Sequence, residues 1–198
     1  MHNKSTRAHI IEAADRLFYR QGYAHTSFAH IADAVQISRG NFYHHFKSKD
    51  EILDAVLGAR LADTQNLLAR WEAEAAQPVE RIGRFIDMLI DNRADIQRYG
   101  CPVGTLSSEL AKLAHAAQPD AAVLFTLFRT WLRHQFTLLG RKADADALAM
   151  HLLARSQGVA TLASAFRDET FIRHEVRLMH EWLRAMASHV ATDAGSAR

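Results

Sequence analysis

Residues 38–49 hold the side chains of this sequence that are best suited to bond to another molecule. Arg39 can donate to O6 and N7 of guanine or to a phosphate, and Asn41 can bond to adenine or to a phosphate. Gly40 lets a ligand approach the backbone closely. Lys49 stands at the expected start of a helix, where phosphate groups bind well. The chemistry of this stretch favours hydrogen bonding to DNA bases and phosphates.

A second reactive group is Cys101, the one cysteine of the chain, which excludes an intramolecular disulfide. It precedes Pro102, so the sequence predicts that Cys101 caps a helix carrying Leu106, Leu110 and Leu113. A helix N-terminus favours a thiolate over a thiol, and Arg98 adds a nearby positive charge. We predict that Cys101 senses electrophiles or oxidants, or lines an effector pocket. The alternative is a buried cysteine that acts as a small hydrophobic side chain.

Other kinds of site find little support in the sequence. The nine glycines are scattered and form no phosphate-binding loop, and Cys101 has no recognisable catalytic partner, so we predict that the chain is not an enzyme. We expect no metal and no cofactor, because one cysteine makes no thiolate cluster and the paired histidines lack the i,i+4 spacing of a helical metal site. These pairs are His25/His30, His44/His45 and His174/His180.

Helices must position these groups, because apolar residues recur every three or four positions and no strand or hairpin pattern is found. The three prolines, Pro78, Pro102 and Pro119, each precede a helical pattern and are interpreted as helix starts. The sequence therefore predicts an all-α fold with nine helices. Their approximate ranges are 4–21, 27–35, 39–46, 49–74, 79–97, 102–116, 119–140, 144–166 and 168–190.

The first three helices match a helix-turn-helix unit, in which the last two are joined by the short turn Gln36-Ile37-Ser38. Phe42 and Phe46 are four residues apart and can anchor the third helix inward. Residues 1–50 carry seven Lys or Arg against four Asp or Glu, whereas residues 51–198 carry 17 against 18. The basic excess thus lies at the end that is predicted to meet an anionic polymer.

The motifs resemble the DNA-binding domain of the TetR/AcrR family over residues 5 to 53. The matching motifs, in order, are Gly22-Tyr23, Thr26-Ser27-Phe28, Ile31-Ala32 and residues 40–49, which read GNFYHHFKSK. The resemblance implies an N-terminal DNA-binding domain at 1–48, a helical effector-binding and dimerisation domain at 49–191, and a homodimer. It also implies DNA contacts from Ser27, Ser38, Arg39, Gly40, Asn41, Tyr43, His44, His45 and Lys49. Phe28 and Ala29 depart from the family, since many relatives have polar residues there.

The second half of the chain is expected to bind an effector. Residues 99–110 resemble a subgroup with a Gly-Cys motif, some members of which respond to reactive electrophiles or unsaturated carboxylates. The family resemblance further implies a helical chamber for a small molecule, although ordinary core packing is the alternative for each candidate. The candidates are Cys101, Phe85, Met88, Leu89, Phe125, Phe128, Trp131, Phe136, Gln157 and Thr161.

Dimerisation is expected through the last two helices. Small residues on the first of them, including Ala154, Gly158, Ala160 and Ala163, allow close approach, and the second carries an apolar stripe. The stripe is Val176, Met179, Trp182, Leu183, Met186 and Val190; the alternative is that it packs only within the monomer.

The sequence thus predicts a DNA-binding regulator, most simply a repressor that an effector or electrophile releases from double-stranded operator DNA. The alternatives without sequence-specific DNA binding are a small enzyme and a helical protein-interaction module, of which the second leaves residues 38–49 unexplained. We expect a cytoplasmic protein with no membrane segment, because no apolar run reaches the roughly 20 residues that span a bilayer. Residues 192–198 are predicted to form a disordered tail.

Overall fold

The computed structural model describes the backbone of residues 5–196, and the side chains from Ser5 to Ser188 except that of Arg39. Over this part of the chain the fold is all-helical, which confirms the predicted fold class. The helices are α1 (Thr6–Gln21), α2 (Phe28–Val35), α3 (Arg39–His45), α4 (Lys49–Glu74), α5 (Pro78–Asp91), α6 (Arg93–Tyr99), α7 (Pro102–Lys112), α8 (Gln118–Leu138), α9 (Ala145–Phe166) and α10 (Glu169–Ser196). No helix within these limits is both long and apolar enough to cross a membrane.

Prolines begin three of the helices, as the sequence indicates. Pro78 and Pro102 are the first residues of α5 and α7, and Pro119 is the second residue of α8. The predicted helix at 79–97 is divided into α5 and α6 at Asn92. The break falls at Asn92, whose backbone angles (φ −103°, ψ 12°) leave the helical region and whose side-chain amide donates to the carbonyl of Met88 at 2.8 Å.

One compact unit comprises the described part of residues 1–64 together with 102–124. Its division from the rest of the chain therefore differs from the predicted boundary at residue 48. The reason is hydrophobic: the first half of α4 and the whole of α7 supply buried residues to the core of α1, α2 and α3. These core residues include Ile10, Phe18, Ile31, Phe42, Phe46, Ile52, Leu53, Val56, Leu106 and Leu110.

The second unit comprises residues 65–101 and the described part of 125–198. In it α10 packs against α5 and α9 around a core rich in Ile, Leu and Phe. Gln135 is fully buried in this unit, where its amide donates to Glu72 at 3.0 Å and accepts from Arg81 at 3.3 Å. The backbone of α10 continues to Ser196, so the last turns of the helix overlap the tail that the sequence predicts at 192–198.

Candidate nucleic-acid interface

Ser27 begins α2 through a reciprocal cap. Its hydroxyl accepts from the backbone N–H of His30 at 3.2 Å, and Nδ1 of His30 accepts from the backbone N–H of Ser27 at 3.3 Å. This arrangement is a capping box in which histidine replaces the usual Glu or Gln. The predicted DNA contact Ser27 is exposed, and its hydroxyl already holds the first turn of α2.

The turn between α2 and α3 lies where the sequence places it. Gln36 ends α2 with φ 56° and ψ 41°, in the left-handed region, and the backbone N–H of Ile37 donates to the carbonyl of Ala32 at 3.3 Å. Ser38 then caps α3, since its hydroxyl accepts from the backbone N–H of Asn41 at 3.3 Å. The two short helices are thus fixed by contacts that are local in sequence.

The third helix is anchored by Phe42 and Phe46, which are 1% and 2% exposed. A Cβ atom added at Gly40 would meet no atom within 4 Å, so that side of α3 is open to a ligand. Of the predicted contacts on and beside α3, those left exposed are Ser38, Gly40, Asn41, Tyr43 and His44, while His45 is partly buried. The side chain of Arg39, also a predicted contact, lies outside the described residues.

Tyr43 makes a contact that the sequence analysis missed. Its ring stacks on Phe28 of α2 with centroids 5.5 Å apart and an interplanar angle of 26°. Phe28 also meets Phe42 edge-on at 5.1 Å. The hydroxyl end of Tyr43 remains accessible, with the residue 49% exposed. No spacing rule relates residues that are 15 positions apart on different helices, so the sequence could not have predicted this pair.

The Lys49 side chain is bonded to its own chain, which a side chain that only contacts phosphate would not be. Its ammonium group donates to the carbonyl of Tyr23 at 3.0 Å and lies 4.0 Å from the centre of the Tyr23 ring. The N-terminus of α4, where we predicted a phosphate site, is already capped by Ser48 and has Asp50 and Glu51 in its first turn. A phosphate at this point would meet Lys49 together with two carboxylates.

A carboxylate from α7 holds the turn between α1 and α2. Glu109 accepts from the backbone N–H groups of Tyr23 at 2.8 Å and of Ala24 at 2.9 Å. Gly22, at the start of this turn, has φ 90°, which favours glycine. A Cβ atom at Gly22 would lie 3.0 Å from the Glu109 carboxylate, so glycine is also required for space.

The side chain of Tyr23 continues this connection into α4. Its buried hydroxyl donates to the carboxylate of Asp50 and lies 3.2 Å from Nε2 of His115. Burial and the bond to Asp50 raise the pKa of the Tyr23 hydroxyl above its ordinary range. The same bond lowers the pKa of the Asp50 carboxyl. The neutral tyrosine and the ionised aspartate are therefore the forms that stabilise the fold.

Replacing Tyr23 with Phe is expected to lower the free energy of unfolding by about 1 kcal/mol near neutral pH, because a partly buried hydrogen bond to a carboxylate is lost. The contribution of the bond is present above the unfolded pKa of Asp, about 3.9, and falls away as the pH drops below it. It is also present below the unfolded pKa of Tyr, about 10, and declines as the pH rises beyond it. Urea unfolding of both proteins at several pH values measures the difference.

Tyr43→Phe is the matched control, since the ring of Tyr43 is held by stacking and the residue is half exposed. The control is expected to follow the wild-type profile throughout. A deficit of Tyr23→Phe that is the same at pH 3 as at pH 7 would contradict the assigned role of Asp50.

The residue after Cys101 is connected to α1 through Arg60 of α4. The Arg60 guanidinium donates to the carbonyl of Pro102 at 2.7 Å and to the carboxylate of Asp15 at 2.7 Å. The Arg60 side chain is 11% exposed and that of Asp15 is 41% exposed, so these bonds are only partly shielded from water. The first turn of α7 is thereby held against the helix that precedes the helix-turn-helix.

Cys101 itself lies between α6 and α7, immediately before the first residue of α7. Gly100 ends α6 with φ 80°, a conformation that favours glycine, and its N–H donates to the carbonyl of Ile96 at 2.8 Å. Cys101 is partly buried and packs against the core of the second unit. The thiol is therefore neither fully exposed nor sealed in the core.

The predicted effector residues separate into three groups. Phe85, Leu89, Phe128, Trp131 and Phe136 are buried core residues, and Phe85 and Phe128 pack edge-on at 5.5 Å. Met88, Phe125 and Gln157 are partly buried, whereas Thr161 is exposed on α9. The buried aromatic residues fill the core of the second unit, as expected for the alternative of ordinary core packing. Thr161 is exposed and is not part of this core.

A depression in the second unit was not predicted. It has a volume of about 500 Å³ and is lined by Trp71, Arg84, Asp87, Ile90 and Asp91. None of the predicted effector residues lines it. Over the described part of the chain, no three His, Cys, Asp or Glu side chains come together as a set of metal ligands.

The predicted dimer residues of α10 mostly face their own chain. Val176, Met179 and Leu183 are between 0% and 6% exposed in the core, because α5 and α9 cover this side of α10. Trp182 is partly buried against Phe136 and His151, and the sulfur of Met186 accepts from Arg141 at 3.2 Å. The side chain of Val190 lies outside the described residues.

The preceding helix, α9, has an exposed apolar face instead. Met150, Ala154, Gly158, Leu162 and Phe166 follow one another at intervals of four residues, and all five are exposed. We call this row the α9 ridge. Of the predicted small residues, Gly158 and Ala154 lie on the ridge, whereas Ala160 and Ala163 are buried.

Comparisons with known proteins agree with this geometry. The HTH-type transcriptional repressor DhaR of Mycobacterium sp. (strain GP1) is 26% identical over 198 residues, covering 95% of this chain and 97% of that protein. The HTH-type transcriptional regulator TtgR of Pseudomonas putida is 40% identical over 87 residues, covering 44% of this chain and 40% of that protein. The crystal structure of a TetR transcriptional regulator from Legionella pneumophila matches with a TM-score of 0.81 and 24% identity, covering 91% of this chain and 98% of that one.

Two family descriptions match successive parts of the sequence. Residues 10–56 match "Bacterial regulatory proteins, tetR family", which spans the capped α2–turn–α3 unit. Residues 78–177 match "Transcriptional regulator LmrA/YxaF-like, C-terminal domain" and by themselves make up half of the chain. With its exposed α3 and its all-helical fold, the chain therefore belongs to the TetR family of DNA-binding transcriptional regulators and not to a family of enzymes.

Proposed function

We propose that this protein is a repressor that binds operator DNA as a homodimer and is released when a small molecule or an electrophile acts at or near Cys101. The name of the relative DhaR, a transcriptional repressor, supports repression. The observation that supports release from the operator by an agent acting at Cys101 is the position of this residue. It directly precedes α7, and α7 supplies both core residues and the Glu109 carboxylate to the unit that contains the helix-turn-helix.

The exposed residues of α3 support specific DNA binding. Asn41 has the side chain that reads adenine in the major groove, and Gly40 leaves room for a base or a phosphate beside the helix. Tyr43, His44 and His45 follow on the same short helix and supply donors for the DNA backbone. We retain Ser27, Ser38 and Arg39 as proposed contacts with phosphate or bases. Lys49 is retained as a phosphate contact that would have to leave the Tyr23 carbonyl to reach DNA.

The α9 ridge supports a homodimer with a two-fold axis. Exposed apolar rows of this kind pack against a copy of themselves, because the side chains spaced by four residues interlock with the matching grooves. Met150, Leu162 and Phe166 are 41%, 43% and 72% exposed, so a partner would cover apolar surface that water now contacts. We therefore assign the interface to Gly158 and its ridge, and retain the partly buried Trp182 and Met186 of α10 as proposed contacts.

The route from Cys101 to the DNA-binding helices is short. A group attached to the partly buried sulfur would displace neighbouring chain, and the next residue, Pro102, is hydrogen-bonded to Arg60. Arg60 is in turn paired with Asp15 on α1. We propose that an adduct at Cys101 shifts the first turn of α7 and so changes the position of α1. The Gly100-Cys101 pair would then serve the electrophile response that its motif indicates.

For a bound rather than a covalent effector, the partly buried Met88, Phe125 and Gln157 are the predicted residues that we retain as contacts. They lie at the edge of the core and can move more easily than the buried aromatic residues. In this proposal the buried core residues do not contact the effector but hold the residues at the edge of the core in position. These buried residues are Phe85, Leu89, Phe128 and Trp131.

Cys101→Ser is expected to abolish release of the protein–DNA complex by a quinone. In the wild type the sulfur adds to an unsubstituted ring carbon of the quinone, so that a C–S bond forms as the S–H bond and a ring C=C π bond break. The thiol proton passes to one quinone oxygen, and the hydrogen of the attacked carbon moves to the other, which leaves a thioether-substituted hydroquinone. Serine is close in size but is a much weaker nucleophile at neutral pH. Titration of a fluorescent operator duplex with and without quinone, together with the mass of the protein, measures release and adduct formation.

Two results would count against the proposal in different ways. Equal release of wild type and Cys101→Ser would exclude the covalent route and leave a bound effector. Failure of the untreated wild type to bind any duplex would contradict the DNA-binding role itself.

A further inference from the structure

A shallow apolar depression of about 340 Å³ lies between α2 and α3. Its lining residues are Ser27, Phe28, Ala29, Ala32, Phe42 and Tyr43. We propose that this depression takes the C5-methyl group of a thymine in the major groove, so that Ala29 and the Phe28–Tyr43 pair determine part of the operator sequence. This inference rests on the DNA-binding role of the helix-turn-helix.

The depression borders the side of α3 that faces DNA in this role. Tyr43 forms one wall and lies three residues from Gly40, so the two share a face of the helix. Ser27, which also lines the depression, is the exposed N-cap of α2. A base pair reached by the open side of Gly40 therefore lies next to the depression.

The surroundings carry the charge that a nucleic acid requires. Residues 25–49 contain Arg39, Lys47 and Lys49 against one acidic residue, Asp33, together with four histidines. Such a surface attracts a polyanion. An apolar peptide would gain from the depression alone, whereas the basic excess of this segment of the sequence favours DNA as the occupant.

The chemistry of the lining then selects the base. No charged or amide side chain lines the depression, and the Ser27 hydroxyl already accepts from His30. The hydroxyls of Ser27 and Tyr43 can each offer a single hydrogen bond, but no side chain here can make the bidentate bonds by which Arg, Asn or Gln reads a base pair. The one apolar group that a base presents in the major groove is the thymine methyl. The stacked rings of Phe28 and Tyr43 give it a rigid wall.

The test uses the full-length protein and a duplex selected by it from a random-sequence pool. Deoxyuridine then replaces thymidine at one symmetric pair of positions at a time, which removes the methyl group and leaves every hydrogen-bonding group in place. Each buried methyl that is lost is expected to weaken binding about threefold to fivefold, so replacement of a symmetric pair is expected to weaken it about tenfold or more. Replacement at the other thymines is expected to stay within about twofold.

The Ala29→Gln variant links this penalty to the depression. The longer side chain covers the depression and brings an amide, so the uridine penalty is expected to disappear. Ala34→Gln is the matched control, because Ala34 is exposed on the same helix and does not line the depression. If Ala29→Gln binds the original duplex too weakly to measure, selection is repeated with the variant, and a base other than thymine is expected at the sensitive position.

A tight duplex that tolerates every uridine replacement would overturn the inference while the DNA-binding role stands, and would point to a protein occupant of the depression. A penalty that persists in Ala29→Gln, or a thymine retained in the repeated selection, would also overturn it. Failure to enrich any duplex would remove the DNA-binding role and the inference together.

Discussion

Gly158→Arg is expected to turn the protein into a monomer and to weaken operator binding by about a hundredfold or more, while the chain keeps its helical fold. Gly158 lies at the centre of the exposed α9 ridge, between Ala154 and Leu162. A Cβ atom added at Gly158 meets no atom of its own chain within 4 Å, so a side chain can begin there without displacing its own chain, whereas a partner packed on the ridge would be displaced. Arginine also favours a helix interior over glycine, by up to about 1 kcal/mol.

The loss of affinity follows from the symmetry of binding. A dimer engages two half-sites at once, and the second contact gains from an effective concentration that raises affinity by roughly 10²–10⁴. A monomer has one helix-turn-helix and loses this gain. Sedimentation velocity measures the oligomeric state, circular dichroism measures helical content, and titration of an operator duplex measures affinity.

Gly58→Arg is the matched control for this change. Gly58 is also an exposed helical glycine with no atom within 4 Å of an added Cβ, but it lies on α4 in the other unit. The control carries the same added charge and is expected to remain dimeric. A dimeric Gly158→Arg protein with unchanged affinity would move the interface away from the α9 ridge.

The parts of the structure that could be predicted from the sequence depend on contacts between near neighbours. Pro78 and Pro102 begin helices because proline fits the first helical position. Ser27 and Ser38 cap α2 and α3 by accepting from the N–H groups three residues later. Such contacts are set by spacing along the chain, so the sequence alone is enough to locate the helix-turn-helix and its exposed residues.

The effector and dimer residues were harder to assign, because an apolar pattern in the sequence does not determine which surface covers it. An apolar stripe such as that of Val176, Met179 and Leu183 must be buried, but its pattern does not show whether its own chain or a partner covers it. Here α5 and α9 of the same chain cover it. The α9 ridge was harder to find, because α9 is also apolar on its buried side and its exposed row stands out only once the core is known.

Contacts between residues that are far apart in the sequence could not be predicted, for a related reason. Glu109 lies more than 80 residues from Tyr23 and Ala24, and nothing in its spacing marks it as different from any other carboxylate on a helix. Hydrogen bonding to Tyr23 likewise gives Asp50 a role that its place in the first turn of α4 does not indicate. Because spacing along the chain does not say which helices pack together, the sequence offered no reason to bring these residues together.

Glu109→Ala is expected to lower the free energy of unfolding by about 3 kcal/mol, because two backbone N–H groups lose a charged acceptor. These groups belong to Tyr23 and Ala24, in the turn that leads into α2. The same turn carries the Tyr23 carbonyl that accepts from Lys49. Its loosening is therefore expected to reduce operator affinity as well, even at temperatures where the protein remains folded.

Two variants make the test of Glu109 specific. Glu109→Gln keeps one oxygen acceptor but places an N–H donor near the second backbone N–H, so an intermediate loss of stability is expected. Glu181→Ala removes a carboxylate from an exposed pair with Arg177 at 2.8 Å and is expected to cost less than about 1 kcal/mol. Urea unfolding compares the three. If Glu109→Ala were no less stable than Glu181→Ala, the α7 carboxylate would not hold the α1–α2 turn, and the proposed path from Cys101 through α7 would lose its second point of attachment to the DNA-binding helices.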